Sequence, residues 1–240
     1  MTPRTKEQNE EIRLRRLAQI RKAAADVFLN KGPLLEIRDV AAQAGLGYGT
    51  VYHYYSNKGD LLHDLLWDAL ERAEGWPNAP RDSALGKEPA GVPFVLGTAV
   101  DTRNANAMNS SRESHETTAS AELGPVAAAS VQLLQLWAED HALYLLHKLA
   151  VEGFSSLPEA RSATLLAAFQ HEVVAPFAAL VDTGHATDGD AASGGIAAEQ
   201  PYGLQRAEML LAALVGCASL SMRREKLHEE AMDIVRILKL

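Results

Sequence analysis

The stretch Ile37-Arg-Asp-Val-Ala-Ala-Gln-Ala-Gly-Leu-Gly-Tyr-Gly-Thr-Val-Tyr-His-Tyr-Tyr55 decides the fold. It reads as two short helices meeting at a tight turn. Ala41 is small, so the second helix can cross close above the first. Gly45 falls where the turn asks for a left-handed backbone, a conformation that costs glycine little. Val40, Leu46 and Val51 supply a small apolar core between the two helices. These are the requirements of a helix-turn-helix, whose second helix enters the DNA major groove while the first lies across the backbone. The same Ala-to-Gly spacing also serves an ordinary helical hairpin, so the flanking residues have to decide.

Upstream, residues 7–30 place Leu17, Ile20, Ala24, Val27 and Phe28 at helical spacing with charges between them. Gly32-Pro33 stops that helix. A short helix is expected from about Glu36 to Ala44, and another after Gly45 to about Tyr55. Ser56-Asn57 breaks the pattern. A fourth helix starts near Lys58 and carries Leu61, Leu62, Leu65, Leu66 and Leu70, with Asn57 as its cap and Asp60 three residues on. From Gly75-Trp76-Pro77 to about Leu123 the pattern is poor, rich in Pro, Gly, Ser, Thr, Asn and Ala, and reads as an irregular segment near 76–123. Helical patterning returns at Val126–Trp137 and Ala142–Phe154. A long helix is expected over Pro158–Val181, kinked or locally broken at Pro176. Asp182–Gln200 reads as a loop, Leu204–Met222 as a strongly apolar helix, and Glu225–Leu238 as the last helix. No strand-like alternation stands out. The fold class is therefore all-α, with a DNA-binding unit over 1–57 and a helical regulatory and dimerisation unit over 58–240.

Composition limits the function. Hydrophobic residues make up 47% of the 240, enough for a sizeable core. The formal net charge of -8 argues at first against a polyanionic partner. Its distribution reverses that reading: residues 1–60 hold 10 Lys or Arg against 7 Asp or Glu, and the remainder carries -11. A basic end on an acidic body orients a molecule on a polyanion. The single cysteine, Cys217, excludes an intramolecular disulfide and fits a reducing cytoplasm. Met1 to Arg16 is too charged to resemble a signal peptide. The most apolar run, Met209–Met222, is shorter than the ~20 residues a bilayer demands, and reads as a buried helix. No His, Cys, Asp and Glu cluster at metal spacing is visible, nor a Gly-x-Ser-x-Gly elbow, nor a phosphate-cradling glycine loop. No enzyme activity, cofactor or metal is expected.

The run Gly-Tyr-Gly-Thr-Val-Tyr-His-Tyr-Tyr-Ser-Asn-Lys-Gly-Asp-Leu-Leu, residues 47–62, closely resembles the signature of the tetracycline-repressor family of transcriptional regulators. An Ala-Gly turn, a short helix ending in aromatics, a capping residue, a lysine and a Leu-Leu pair follow in the family's order over residues 12–66. The resemblance implies a three-helix DNA-binding head. Tyr48, Thr50 and His53 then face base edges and nearby phosphates. Tyr52 matches a tyrosine whose hydroxyl reaches phosphate. Lys58 matches a lysine at the start of helix four, where ammonium and helix N-terminus both favour phosphate. Either Tyr54 or Tyr55 should stand as a core aromatic. Arg38 either touches DNA or is a solvated charge. The sequence departs from the family where Leu35-Glu36 replaces a Ser or Thr cap and where Gly47 often has Ser as its counterpart. Gly47 and Gly49, both at the expected interface, should weaken the recognition helix by up to ~1 kcal/mol each.

The C-terminal part resembles the family in layout. The helices near 158–181 and 204–222 fall where the family builds its dimer, as a four-helix bundle across two protomers. Gly216, Ala213 and Ala218 would permit close approach. Trp137, His141, Tyr144, Phe154, Phe169, His171 and Met209 are the side chains to line a ligand pocket, each also readable as plain core. His141 and His147 are six apart and do not share a helical face. The expectation is a homodimeric, cytoplasmic regulator without membrane contact. It would be a repressor released from its double-stranded operator by a small apolar effector. A regulator controlled by a protein partner, or a binding module without DNA recognition, are the alternatives.

Overall fold

In a computed structural model, residues 5–73, 76, 123–185 and 200–240 are described. Among these the regular elements are helices, without strands. The expected irregular segment near 76–123 and most of the 182–200 loop lie outside the described residues.

Helix α1 spans Lys6–Lys31 and opens on a reciprocal cap: Thr5 Oγ1 accepts from the Gln8 N–H, and Gln8 Oε1 from the Thr5 N–H. Gly32 ends it at φ 59. Helix α2 spans Ile37–Gln43, and α3 spans Tyr48–Tyr54. The Ser or Thr cap missing before α2 is replaced from inside the helix: Asp39 Oδ2 accepts from the Glu36 N–H at 3.2 Å. Asp39 is itself held by Lys31 at 2.7 Å, which ties α2 to the end of α1. The turn between α2 and α3 forms as the sequence requires, with Gly45 at φ 63 and the Leu46 N–H donating to the Ala41 carbonyl at 2.9 Å.

Helix α4 spans Lys58–Ala73. Asn57 Oδ1 accepts from the Asp60 N–H at 2.9 Å, as the sequence predicts for its cap. All five expected leucines of α4 are buried. The helix packs against α1 on one side. On the other it meets α6, spanning His141–Val151, and α7, spanning Glu159–Phe169. Helix α5 covers Pro125–Glu139. Ala142 to His147 and Leu149 of α6 are buried, so this helix is hydrophobic nearly all round and runs through the middle, touching α1, α4, α5 and α9.

The expected break at Pro176 appears six residues early. After α7 the chain makes a π-helical turn over Gln170–Val174, with the Ala175 N–H bonding to the Gln170 carbonyl, before α8 resumes as Ala175–His185. Proline at 176 brings no N–H and crowds the carbonyl one turn back, and the wider turn relieves both. Helix α9 spans Gln200–Met222 and α10 spans Leu227–Ile237. Helix α9 corrects the reading of a buried helix. It is longer than its apolar run and covers only one face. Ala207, Leu211, Leu214 and Ala218 point inward, while Met209, Gly216 and Leu220 are exposed.

Candidate nucleic-acid interface and buried aromatic cluster

Helix α3 buries one residue, Val51, which docks it on α2. Tyr54 is half-buried against the core, and the remaining side chains stand free. Tyr48 and Tyr52 are 53% and 41% exposed, and their rings rest on each other at 4.5 Å between centres. Thr50 and His53 are exposed beside them. Tyr48, Thr50, Tyr52 and His53 thus form one polar, aromatic surface. Gly47 is the N-cap, with φ -63 and ψ 140, and not a helical residue. Its cost is therefore smaller than expected, because glycine is tolerated at a cap. Gly49 remains inside the helix, with open space where a Cβ would stand.

Tyr55, and not Tyr54, is the core aromatic. Its hydroxyl donates to Asp64 on α4, which also accepts from Arg21 Nε on α1 at 2.7 Å. Arg21 reaches Asp68, one turn further along α4. Burial opposes ionisation of Asp64, but the hydrogen bonds from Arg21 and Tyr55 outweigh it and hold the carboxyl below the usual range. Burial and the same carboxylate push the Tyr55 phenol up, so it stays a donor. The end of α3 is thereby fixed to α1 and α4 together.

Lys58 is exposed at the start of α4 and donates from Nζ to the Pro33 carbonyl at 2.9 Å. Arg38 is exposed and lies across Glu36, with Nε 2.8 Å from Oε2. Its charge is therefore partly spent on a neighbour.

In the C-terminal half, four of the seven expected pocket residues come together. Trp137, Tyr144, Phe154 and Phe169 are buried in one cluster. His147, not among the expected residues, stands at its centre: 1% exposed, 4.9 Å from the Trp137 ring and 5.3 Å from the Phe169 ring. Trp137 also stacks edge-on against Tyr144 at 5.7 Å. Phe154 turns into the cluster from a left-handed backbone, φ 53, a conformation that a bulky residue adopts only when its surroundings compel it. Burial pushes the His147 imidazole down to about 4, so it is neutral near pH 7.

The other three do not join. His171 and Met209 are at the surface, because each falls on the outward face of a helix whose other face carries the core. His141 opens α6 on the opposite side, with Nδ1 2.6 Å from Asp26 Oδ1 on α1. Beside it lies a cleft of about 470 Å³ whose lining includes Arg21, Asp26, Arg72 and Asp140. One signal in the sequence pointed to His147: it stands in Leu143-Tyr-Leu-Leu-His-Lys-Leu149, where apolar residues flank it on nearly every side.

The family model for bacterial regulatory proteins of the tetR family matches residues 20–65, the stretch from mid α1 into α4. The HTH-type transcriptional repressor LfrR of Mycolicibacterium smegmatis is 41% identical over 69 residues, which are 26% of this chain and 36% of that protein. The match thus spans about a third of the length of that curated relative. Among solved structures, FadR of Bacillus subtilis, determined in complex with stearoyl-CoA, aligns over 92% of this chain and 96% of its own, at 15% identity and TM-score 0.48. FadR of Bacillus halodurans aligns over the same shares at 16% identity and TM-score 0.48.

Proposed function

The chain carries the N-terminal domain of the tetR family of bacterial regulatory proteins at residues 20–65, and from that premise we propose that it is a transcriptional regulator that represses as a homodimer and is released from its operator by a small apolar ligand. The observation that carries DNA recognition is the free surface of α3: Val51 and the half-buried Tyr54 dock the helix and leave Tyr48, Thr50, Tyr52 and His53 open to a groove. Lys58, at the start of α4, lies where ammonium and helix N-terminus together attract a phosphate.

The dimer is supported by α9. Met209, Ala213, Gly216 and Leu220 repeat at helical spacing along the face turned away from the core, and a Cβ at Gly216 would meet nothing within 4 Å. An apolar face of that kind asks for a partner surface. Ala218, expected to help at this contact, is buried against its own chain and leaves that role to Ala213 and Gly216.

Ligand release is supported by the path out of the aromatic cluster. Helix α6 carries Tyr144 and His147, and its first turn holds α1 and α4 through His141 and Asp140. A ligand moves this equilibrium only by binding the two forms unequally. A gel shift with the DNA upstream of the protein's own gene, with and without cell extract, tests the proposal. Retardation that extract relieves supports it. No retardation removes the DNA reading, and retardation that no extract or apolar compound relieves removes the ligand.

A further inference from the structure

Two polar atoms in the aromatic cluster are buried without a well-formed hydrogen bond: Nε2 of His147, and the hydroxyl of Tyr144, which has the Ser219 side chain of α9 beside it. A native core rarely leaves such atoms unpaired, because each has given up water and received nothing. They sit on successive turns of α6, and both rings touch Trp137. Building on the ligand-release reading above, we infer that these two atoms anchor the effector, and that the effector is an uncharged, apolar ring compound bearing a hydroxyl group.

The hydrogen bonds of His147 argue for a hydroxyl. Its Nδ1 lies 2.8 Å from the Leu143 carbonyl and 3.2 Å from Trp137 Nε1. One nitrogen cannot donate to the first and accept from the second. In one tautomer Nδ1–H serves the carbonyl and Nε2 offers a lone pair; in the other Nδ1 accepts from the indole and Nε2 offers a proton. A hydroxyl both donates and accepts, so it completes either form of His147. A carboxylate fits poorly, since the buried imidazole is neutral and provides no counter-charge. The surroundings suit a ring: Trp137, Phe154 and Phe169 are all fully or nearly buried here. Phe169 covers His147, and the π turn starts at the next residue. A ligand reaching His147 from that side would have to displace the Phe169 ring.

The test uses the full chain and three probes of one shape: para-propylphenol, propylbenzene and para-propylbenzoate. Calorimetric titration and thermal unfolding are run on wild type, His147→Leu and Tyr144→Phe, with circular dichroism to verify folding. The phenol is expected to bind about tenfold more tightly than propylbenzene, with the benzoate weakest, and the preference should shrink in both variants. Tyr144→Phe removes one oxygen only, so it decides the matter should His147→Leu fail to fold. Equal binding of phenol and propylbenzene, tighter binding of the benzoate, a preference unchanged in Tyr144→Phe, or binding by none of the three overturns the inference. The readings separate in operator assays. If propylbenzene releases DNA as well as the phenol does, ligand release stands and the hydroxyl falls. If the phenol binds with the stated preference and DNA is not released, the hydroxyl stands and release falls.

Discussion

Arg72, in the last turn of α4, donates from Nε to Asp140 Oδ2 at 2.9 Å, and that same carboxylate caps α6 through Oδ1, accepting from the Ala142 N–H at 2.9 Å. One side chain therefore ends one helix's tether and begins the next. Helix α4 is the element leading out of the DNA-binding domain, and α6 carries the aromatic cluster. Asp26 and His141 make a second link between α1 and the same turn.

The two functions of Asp140 separate by substitution. Asp140→Asn keeps a cap and loses the ion pair, which is partly solvated and contributes ~0–1 kcal/mol. Asp140→Ala loses the cap as well, a further ~1 kcal/mol. Urea unfolding of the two variants should show Ala below Asn by about that amount. If the release proposal holds, Asp140→Asn should also bind operator normally and respond less to ligand. Equal stability of the two variants would show that the cap contributes nothing.

Lys58→Ala should weaken binding on every DNA sequence and reduce the salt slope by about one phosphate contact, ~0.9 in log–log units. In the free protein its ammonium is held by the Pro33 carbonyl, so losing it should cost little stability. Anisotropy titrations at several salt concentrations measure this. An unchanged slope means that Lys58 does not reach the backbone.

Glycine substitutions act in opposite directions at two positions. Gly45→Ala meets no neighbour within 4 Å but must hold φ 63, so it should destabilise by roughly 1–2 kcal/mol through the backbone alone. Gly49→Ala also meets nothing, inside a helix, and should stabilise by up to ~1 kcal/mol. Thermal unfolding that moves the same way for both variants would contradict this.

Much of this fold was legible because it depends on short-range rules. Gly45, Asn57 and the leucines of α4 each state their role through neighbours within a few residues. The aromatic cluster was only half legible. Trp137, Tyr144, Phe154 and Phe169 are legible by their chemistry, but an apolar helix looks the same whether its face meets the core, a partner or solvent. His171 and Met209 lie on faces turned outward for that reason, and His141 was drawn to Asp26, 115 positions away in sequence. The place of His147 is not legible along its own helix, because its ring partners come from α5 and α7. The pairing of Tyr55 with Asp64 and Arg21 likewise needs three helices to be in place.

His147 makes stability depend on pH. Its folded pKa is depressed to about 4 by burial, against ~6.5 unfolded. Between these values the unfolded chain binds the extra proton, so stability rises with pH. The contribution is complete above about pH 6.5 and declines as pH falls toward 4. Wild type should lose on the order of 2 kcal/mol from this group between about pH 7 and pH 5, and His147→Gln should lose correspondingly less. Urea unfolding at the two pH values gives the comparison, and identical losses would show that burial does not depress the His147 pKa.

The central claim is that α3 reads a sequence in DNA. The most direct measurement is an anisotropy titration of the full chain with two duplexes at physiological salt: one covering the footprinted site upstream of its own gene, the other that site shuffled at constant composition. The account predicts at least about a thousandfold preference for the intact site, the low end for specific over non-specific binding, falling toward equality when Tyr48, Thr50 and His53 are together replaced by alanine. Equal affinity of wild type for both duplexes, or a preference that survives the triple replacement, would contradict it.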